Sequence, residues 1–419
     1  MKKVREGYKI TEFGEIPSEW EVKKLKDLGN SVIGLTYSPD DLVDGCNGTL
    51  VLRSSNIRNN RIVFDDNKYV NKDIQEKLIV KENDILICSR NGSKELIGKC
   101  ALIDKKAEGS SFGAFMTVYR SKYNKYLFNV FTSYMFKRQI YNNLGATINQ
   151  ITTDNLNNFK IIVPTIKEQE KIASILSTVD EQIDNVDALI EKNKELKKGL
   201  MQTLLTKGIG HTKFKKTEIG EIPEEWEVNN LGNIVEVISG ATPKTNINEY
   251  WDNGDIYWAT PSDITSNGKY ISVTEKKITE NGLKNCSAKL LPIGSILMSS
   301  RATIGERCIN TVPMTTNQGF KSLVCKDGIN NEFIYYYVDI LKEKLMGLAS
   351  GSTFLEVSKK VVEDIKVVIP SLEEQEKIAS ILSEVDKKID DYENKKQKLE
   401  ELKKGLMQQL LTGMIRVTV

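Results

Sequence analysis

Two long stretches of the chain carry the same apolar spacing, with hydrophobic residues at alternating steps of four and three. The positions are Ile172, Leu176, Val179, Ile183 and Val186 in the first stretch, and Ile378, Leu382, Val385, Ile389 and Tyr392 in the second. The stripe weakens in the charged centres 191–195 and 393–398, then resumes with Leu196, Leu200 and Leu204 and with Leu402, Leu406 and Leu410. The spacing predicts two amphipathic helices of about 40 residues, each roughly 60 Å long. Helices of that length cannot bury their stripes on small domains, so we expect them to pair as a coiled coil.

Both predicted helices begin with the same polar signal. Thr165 is followed three residues later by Glu168, and Ser371 is followed by Glu374. A Ser or Thr with a Glu three residues on forms a capping box, which satisfies amide donors in the first helical turn. We therefore expect the helices to begin at Thr165 and Ser371.

Short β-branched runs bounded by turn residues fill the segments outside these helices. The runs are residues 49–57, 84–90, 98–103, 160–164, 256–264, 295–301 and 365–370. Aromatic stretches at 126–141 and 333–345 favour helices instead. The pattern is typical of small, β-rich, mixed α/β domains.

Much of the chain is repeated at a constant offset of 206 residues. The repeated blocks are residues 11–22 and 217–228 (10 of 12 identical), 164–184 and 370–390 (15 of 21), and 195–206 and 401–412 (11 of 12). The segments between these blocks differ greatly. The duplication predicts an α/β protein in which two variable mixed domains are separated by two long helices.

Composition narrows the classes of function. Lys+Arg number 59 and Asp+Glu 57, so whole-chain charge does not identify a partner. Residues 20–163 hold 21 basic and 15 acidic residues (21 − 15 = +6), whereas residues 226–369 hold 15 and 16 (15 − 16 = −1). The scattered cysteines and the single His211 suggest neither a zinc site nor a disulfide framework, and His211 has no predicted role. We expect a cytoplasmic protein with no membrane segment.

Motifs for the common chemistries are missing from the sequence. No glycine-rich dinucleotide fingerprint follows a strand, and residues 92–100 lack the spacing and the final Ser or Thr of a phosphate loop. All nine prolines are isolated, so the polar-Pro-Pro-aromatic loop of a DNA amino-methyltransferase is missing. We expect no metal site and no bound cofactor, and no catalysis by the chain itself.

Several motifs resemble the DNA specificity (S) subunits of type I restriction-modification systems over nearly the whole chain. They are the EIPxEWE segments (15–21 and 221–227), the EQEKIASIL helix starts (168–176 and 374–382) and the two ELKKGLMQ segments. Residues 240–243, 249–251, 256–264, 301–305 and 317–320 look like that family's target-recognition domains. The first variable unit lacks most of these motifs, which implies a different half-site.

The resemblance implies a non-catalytic subunit that reads a bipartite, asymmetric site in double-stranded DNA. It implies an antiparallel helix pair as spacer, two methyltransferase subunits docked around it, and restriction subunits outside those. S-adenosylmethionine, ATP and Mg²⁺ are then expected on the partners. The implied domains are recognition domain 1 (1–163), spacer helix 1 (164–210), recognition domain 2 (211–369), and spacer helix 2 with the C-terminal tail (370–419).

Polar residues in the loops of the variable units are the candidates for DNA contacts, because Arg and Lys match guanine and Asn and Gln match adenine. They are Arg53, Asn56, Arg58, Asn59, Arg61, Arg90, Asn91 and Lys94 in the first unit, and Lys244, Thr245, Asn246, Arg301, Lys321 and Ser352 in the second. For each of these residues, the alternative is an ordinary solvated side chain on the surface with no DNA contact. The pairs Asn149-Gln150 and Asn317-Gln318 are open between adenine contacts and hydrogen bonds to their own backbone. Trp20 and Trp226 are interpreted as core anchors.

Matched residues in the second half of each helix are candidates for partner binding. They are Lys197, Lys198 and Gly199, with Lys403, Lys404 and Gly405 in the copy. A glycine inside a helix costs about 1 kcal/mol relative to alanine, so either another backbone approaches closely there or the helix ends there. The lysines contact phosphates or partner carboxylates, or they are simply solvated.

Two other functions remain open at the level of sequence. A scaffold whose variable domains bind proteins rather than DNA would share the duplicated helices. An enzyme with two active sites is disfavoured, because no nucleophile or metal-ligand set is repeated.

Overall fold

A computed structural model describes residues 4–45, 47–144, 149–266, 268–350 and 355–419. The chain divides into unit 1, formed by residues 1–187 and 394–419, and unit 2, formed by residues 188–393. Each boundary falls inside a long helix, so each unit contains a variable domain, the start of one long helix and the end of the other.

Unit 1 is built from short strands and three short helices before its long helix. The strands are β1 (Tyr8–Thr11), β2 (Gly14–Pro17), β3 (Glu21–Lys24), β4 (Asn30–Ile33), β5 (Leu42–Val43), β6 (Thr49–Leu52), β7 (Ile57–Arg58), β8 (Arg61–Ile62), β9 (Tyr69–Val70), β10 (Ile85–Cys88), β11 (Cys100–Leu102), β12 (Ser111–Phe112), β13 (Met116–Arg120) and β14 (Lys160–Val163). The helices are α1 (Asn124–Thr132), α2 (Tyr134–Asn143), α3 (Thr153–Asn158) and α4 (Ile166–Lys207).

Two sheets form the body of unit 1. The first has the strand order β11-β10-β13-β4 and is antiparallel, and the second has the order β12-β6-β9-β5, with β12 and β6 parallel. All four side chains of β10 are buried, because Ile85 and Ile87 pack in one hydrophobic cluster and Leu86 and Cys88 pack in another on the opposite face of the sheet. A separate pair, β3 with β14, connects the repeated N-terminal segment to the residues just before α4.

Unit 2 follows the same plan, with one longer helix of 18 residues before its last short helix. Its strands are β15 (Phe214–Thr217), β16 (Gly220–Pro223), β17 (Glu227–Asn230), β18 (Val235–Ser239), β19 (Ile256–Ala259), β20 (Tyr270–Ile271), β21 (Lys276–Ile278), β22 (Ile296–Met298), β23 (Arg307–Asn310), β24 (Met314–Thr316), β25 (Lys321–Cys325) and β26 (Lys366–Ile369). Its helices are α5 (Leu231–Ile234), α6 (Pro261–Ser266), α7 (Glu280–Lys284), α8 (Asn331–Leu348), α9 (Lys359–Asp364) and α10 (Leu372–Leu410).

The sheets of unit 2 correspond to those of unit 1. Four strands in the order β18-β25-β22-β23 match the first sheet of unit 1, and β20 adds a fifth strand parallel to β23. The three strands β21-β19-β24 match β9, β6 and β12 of the second sheet, again with one parallel pair. The pair β17 with β26 repeats β3 with β14. The mixed α/β fold class and the duplication predicted from the sequence are therefore confirmed.

The sequence patterns predict where helices and strands lie more accurately than where each one begins and ends. The aromatic stretch 126–141 is two helices rather than one, because Ser133 interrupts it and caps α2 by accepting a hydrogen bond from the Phe136 amide at 3.3 Å. The run 256–264 is a strand followed by the short helix α6. Turn-forming and capping side chains outweigh the local apolar pattern at such positions.

The long helices begin as predicted. Helix α4 starts after Thr165 and α10 starts after Ser371, and each hydroxyl accepts a hydrogen bond from the amide three residues on, at 3.4 and 3.3 Å. Each helix is followed by a glycine in the left-handed region, Gly208 at φ +68° and Gly413 at φ +71°. Glycine adopts this conformation without strain, which favours it after a helix end.

Within each unit, the start of one long helix runs antiparallel to the end of the other. In unit 1, Asp180 faces Lys403 at 2.6 Å and Asp187 faces Lys396 at 2.6 Å, so residue numbers rise along one helix as they fall along the other. Unit 2 repeats the arrangement, with Asp386 facing Lys197 at 2.6 Å. The predicted antiparallel helix pairing is therefore present.

The predicted apolar seam is wrong at one matched pair of positions. Leu196 and Leu402 are each 51% exposed, although both fit the spacing of the stripe. Ile190, which lies outside the predicted stripe, is 4% exposed and buried instead. A helical periodicity identifies an apolar face, but the neighbouring helix covers only part of that face.

Candidate nucleic-acid interface

In unit 1, three loops meet beyond the end of β10. Arg90 forms an isolated antiparallel bridge with Gln150, and the Asn91 amide donates to the Asn149 carbonyl at 3.3 Å. The Asn91 side chain also donates to the Ser54 hydroxyl at 3.3 Å. The structure thus brings together loops around residues 54, 90 and 150 that are far apart in sequence.

Arg90 is the exposed cation of this loop cluster. Its guanidinium lies over the Phe115 ring, 5.1 Å from the ring centroid. Among the residues that the structure describes, no carboxylate forms an ion pair with it. An arginine stacked on an aromatic face keeps its N–H edge free for hydrogen bonding. Lys94 lies on the same loop, in an exposed 3-10 turn.

Three other arginines of unit 1 are engaged by aspartates. Arg53 pairs with Asp66 at 2.7 Å, Arg58 pairs with Asp65 at 2.8 Å, and Arg61 pairs with Asp184 at 2.7 Å. Their side chains are between 30% and 62% exposed. Exposed pairs of this kind contribute at most about 1 kcal/mol, so a DNA phosphate or base can compete for these guanidinium groups.

The prediction that Asn56 contacts DNA directly is corrected by the structure. Its side chain is 0% exposed, its Oδ1 accepts from the Arg53 amide at 3.0 Å, and its Nδ2 donates to the Val63 carbonyl at 3.0 Å. The residue shapes its own loop, because a buried amide must find its hydrogen-bond partners inside the protein. Asn59 is exposed in the left-handed region at φ +49°.

In unit 2, the corresponding loop follows β22 and carries Arg301. The guanidinium pairs with Glu356 at 2.7 Å, and the Lys321 ammonium pairs with the same carboxylate at 3.0 Å. Burial opposes ionisation of Glu356, but hydrogen bonds from Arg301 and Lys321 lower its pKa. Lys321 is only 6% exposed, so the prediction that it contacts DNA directly is corrected as well.

An exposed loop and a neighbouring strand form a second polar surface in unit 2. Lys244, Thr245 and Asn246 are exposed as predicted loop residues, whereas Ser352 lies outside the described residues. An open cavity of about 410 Å³ is lined by Thr245, Trp251, Lys276 and Lys277. The two β21 lysines were missed in the sequence because they lie in a mixed-charge run that is typical of a solvated surface.

Three of the four candidate side-chain amides bond to nearby groups of the described chain. The Asn149 side chain donates to the Gly92 carbonyl at 3.0 Å, whereas Gln150 is held by a backbone bridge to Arg90. Asn317 accepts from the Gly319 amide at 2.8 Å, and Gln318 accepts from the Thr242 hydroxyl. Such bonds position the loops, which is the alternative role that the sequence left open.

The loops after β10 and β22 are equivalent in backbone geometry. Ser89 donates from its amide and hydroxyl to the Phe115 carbonyl at 3.0 and 3.1 Å. Ser300 donates in the same way to the Gly319 carbonyl at 2.8 and 3.1 Å. Arg90 is bridged to Gln150 and Arg301 is bridged to Glu356. These two partners are 206 residues apart, which is the offset of the duplication, so Arg90 and Arg301 occupy equivalent positions.

The partner-binding candidates on the helices divide into two groups. Lys197 and Lys403 point at the opposing helix, where they pair with Asp386 and Asp180 at 2.6 Å. Lys198 and Lys404 are exposed. Gly199 and Gly405 are exposed within unbroken helices, and a Cβ at either glycine would meet no atom of the described chain within 4 Å. A helix end and a close approach inside the described chain are therefore both excluded as reasons for these glycines.

The repeated Trp and Glu residues form a buried joint in each unit. Trp20 Nε1 donates to Glu168 Oε2 at 2.8 Å, and Trp226 Nε1 donates to Glu374 Oε2 at 3.0 Å. Both tryptophans are 0% exposed, as expected for core anchors. His211 is not incidental, because its Nε2 lies 2.9 Å from Glu374 Oε1.

Residues for metal or thiol chemistry are not clustered. Across residues 4–45, 47–144, 149–266, 268–350 and 355–419, no group of three or more His, Cys, Asp or Glu side chains is placed to hold a metal ion. Cys100 is a buried free thiol, and burial raises its pKa to about 12. No helix in the described part of the chain has the length and apolar character needed to cross a membrane.

Comparison with known proteins decides the family. The model for the type I restriction modification DNA specificity domain matches the chain twice, at residues 17–197 and 223–403. The chain belongs to this type I DNA specificity family. A Methanocaldococcus jannaschii protein ascribed to the MjaX type I restriction enzyme as its specificity subunit is 33% identical over 427 residues, covering 98% of this chain and 97% of that protein.

Other specificity subunits match nearly the whole chain, one in sequence and one in fold. The MjaVIII specificity subunit of the same organism is 29% identical over 420 residues, covering 96% of this chain and 94% of that protein. The crystal structure of the type I S subunit from M. genitalium has a TM-score of 0.59 at 18% identity, covering 94% of this chain and 96% of that one. As a specificity-family member, the chain has a DNA sequence-specificity role, and the protein-binding scaffold is not favoured.

Proposed function

We propose that the chain reads a bipartite, asymmetric site in double-stranded DNA, with one half read by each unit, while partner subunits carry out the chemistry. The carrying observation is the pair of equivalent loops after β10 and β22. They share a backbone frame, yet the backbone of Arg90 is bridged to the neutral Gln150, whereas Arg301 is bridged to the acidic Glu356 and its guanidinium also pairs with that carboxylate. Two similar frames with different side chains are suited to two different half-sites.

The chemistry of the loops agrees with DNA recognition. Arg90 has an exposed guanidinium that is free to bond the O6 and N7 acceptors of guanine, which is the commonest specific contact in the major groove. The half-buried Asn91, whose Nδ2 donates to the Ser54 hydroxyl, and the exposed Lys94 lie on the same loop. In unit 2, Lys244 and the Lys276–Lys277 pair supply the positive charge that phosphates require. Arg301 contributes to base reading if it exchanges Glu356 for a base.

The proposal assigns catalysis to other subunits. Methyltransferase subunits, two per chain, would bind S-adenosylmethionine, and restriction subunits would bind ATP and Mg²⁺. A chain of similar fold, with a TM-score of 0.57 at 19% identity, comes from a structural study of complex assembly and conformational transition of the type I R-M system. The likeness to a chain of such a complex supports assembly of this chain with partner subunits.

Matched exposed positions on α4 and α10 are the proposed docking surfaces. Leu196 with Lys198 and Gly199 forms one surface, and Leu402 with Lys404 and Gly405 forms the other. An exposed leucine beside a glycine with open space around it lets an approaching side chain or backbone pack closely. The duplication gives two equal surfaces, which suits two copies of one partner.

An exchange of the second variable domain tests the proposal. Residues 226–369 would be replaced by the corresponding segment of another family member, and the methylated sites would be sequenced in cells that hold the methyltransferase partners. We expect one half-site to change and the other to remain. Changes in both halves, or in neither, would contradict independent reading by the two units. The matched exchange of residues 20–163 should alter the other half alone.

The separation of reading from chemistry has its own test. The purified full chain should neither methylate nor cleave DNA until methyltransferase and restriction subunits are added. Methyl transfer or cleavage by the chain alone would overturn this assignment.

A further inference from the structure

Phe115 is an exposed aromatic side chain on a rigid loop of unit 1. Its side chain is 58% exposed, although the strands on both sides of its loop are buried. Its carbonyl accepts three hydrogen bonds, from the Ser89 amide at 3.0 Å, the Arg90 amide at 3.0 Å and the Ser89 hydroxyl at 3.1 Å. The backbone is thus fixed by polar contacts, while the apolar ring is left in solvent, where it contributes little to stability.

Unit 2 has a glycine at the equivalent position. Gly319 occupies the place of Phe115, because its carbonyl accepts the same two hydrogen bonds from Ser300. The next residues also correspond, since the Gly34 amide donates to the Met116 carbonyl at 3.1 Å and the Gly240 amide donates to the Phe320 carbonyl at 3.3 Å. The loop fold therefore does not require an aromatic ring here, and the ring distinguishes unit 1 from unit 2.

We propose that Phe115 is a specificity-determining residue of unit 1 and contacts the C5 methyl group of a thymine beside the base bonded by Arg90. This inference rests on the proposed function. The ring and the Arg90 guanidinium form one exposed surface, since the guanidinium carbon lies 5.1 Å from the ring centroid. In the major groove, an apolar side chain next to an arginine matches a thymine methyl next to a guanine. Unit 2, with Gly319, makes no such contact.

The test removes the methyl group and the ring separately and together. Once the site is known from methylation in cells, each thymine in the half-site read by unit 1 is replaced by uracil, which lacks only the C5 methyl. Binding of each DNA to the full chain with its methyltransferase partners is then measured. For the unaltered chain, one uracil should weaken binding about fourfold, the equivalent of one buried methyl group. In Phe115→Ala, that uracil should have no effect.

Three control variants separate the possible results. Tyr134→Ala removes another exposed ring of unit 1, 78% exposed on α2, and should keep the sensitivity to uracil. Phe115→Leu keeps an apolar side chain and should keep part of it. If Arg90→Ala weakens binding while no uracil effect depends on Phe115, this inference is overturned and the proposed function stands. The proposed function itself fails if neither Arg90→Ala nor Phe115→Ala affects binding and the exchange of residues 20–163 leaves the methylated site unchanged.

Discussion

Trp20 and Glu168 are joined by a buried hydrogen bond of 2.8 Å, and the same bond recurs between Trp226 and Glu374 at 3.0 Å. In both copies, the two residues are 148 positions apart. Each bond connects the repeated segment before a variable domain to the first turn of the long helix that follows that domain. The ends of each variable domain are therefore tied to the same helix start, whatever the loops between them contain.

Removing the indole donor should destabilise unit 1. Trp20→Phe keeps a six-membered aromatic ring but leaves the Glu168 carboxylate with one donor fewer, and hydrogen bonds to buried charged groups are worth about 1.5–3 kcal/mol. The smaller ring also leaves a cavity at this fully buried position, which adds to the loss. We expect a loss of at least that size in the free energy of unfolding, measured by urea denaturation. Trp251→Phe is the matched control, because the half-buried Trp251 indole donates to the Lys244 carbonyl in an exposed loop. An equal loss in both variants would contradict the role of the joint.

The same carboxylate predicts a loss of stability in acid. Burial opposes ionisation of Glu168, but hydrogen bonds from Thr165, Trp20 and Arg416 hold its pKa below the ordinary value of 4.5. In the unfolded chain Glu168 has its ordinary pKa, so its contribution is complete above about pH 4.5 and is lost as the pH falls through the lower, folded pKa. We expect the melting temperature to fall less between pH 6 and pH 3.5 in Glu168→Gln than in the unaltered chain. A parallel fall would show that other groups control acid unfolding.

The sequence predicts the repeated parts of this molecule better than its reading surfaces. Capping at Thr165 and Ser371 depends on neighbours three residues away, so it is visible in a local pattern. The Trp20–Glu168 bond joins residues far apart, and the equal separation of the two repeated Trp–Glu pairs follows from the constant offset of the duplication, so it does not reveal the contact. Residues such as Asn56 and Lys321 have the chemistry of base contacts, but burial, which depends on the folded loops, removes them from solvent.

The ion pair between Lys403 and Asp180, where the two long helices pair, should stabilise unit 1 through its charges. Lys403 and Asp180 have side chains only 15% and 18% exposed, and their atoms are 2.6 Å apart. Lys403→Glu should destabilise unit 1 by about 1–3 kcal/mol, since it places two carboxylates together in a partly buried site. The double variant Asp180→Lys with Lys403→Glu should recover most of the loss in urea denaturation. Failure of the double variant to recover would indicate that packing, rather than charge, is disturbed.

The lysines of β21 provide the last prediction, which concerns DNA affinity rather than stability. Lys276 and Lys277 line the cavity beside Trp251 and Thr245, and both are exposed. A lysine that contacts a phosphate releases about one counterion on binding, so its removal lowers affinity for all sequences alike and reduces the salt dependence. We expect Lys276→Ala with Lys277→Ala to reduce the slope of log affinity against log salt by about 1.8. Lys284→Ala is the matched control, because that lysine is also exposed but pairs with Glu280 at 3.1 Å on the short helix α7. An unchanged slope in the double variant would remove this surface from the DNA interface, and a change confined to one base position would make the lysines base readers instead.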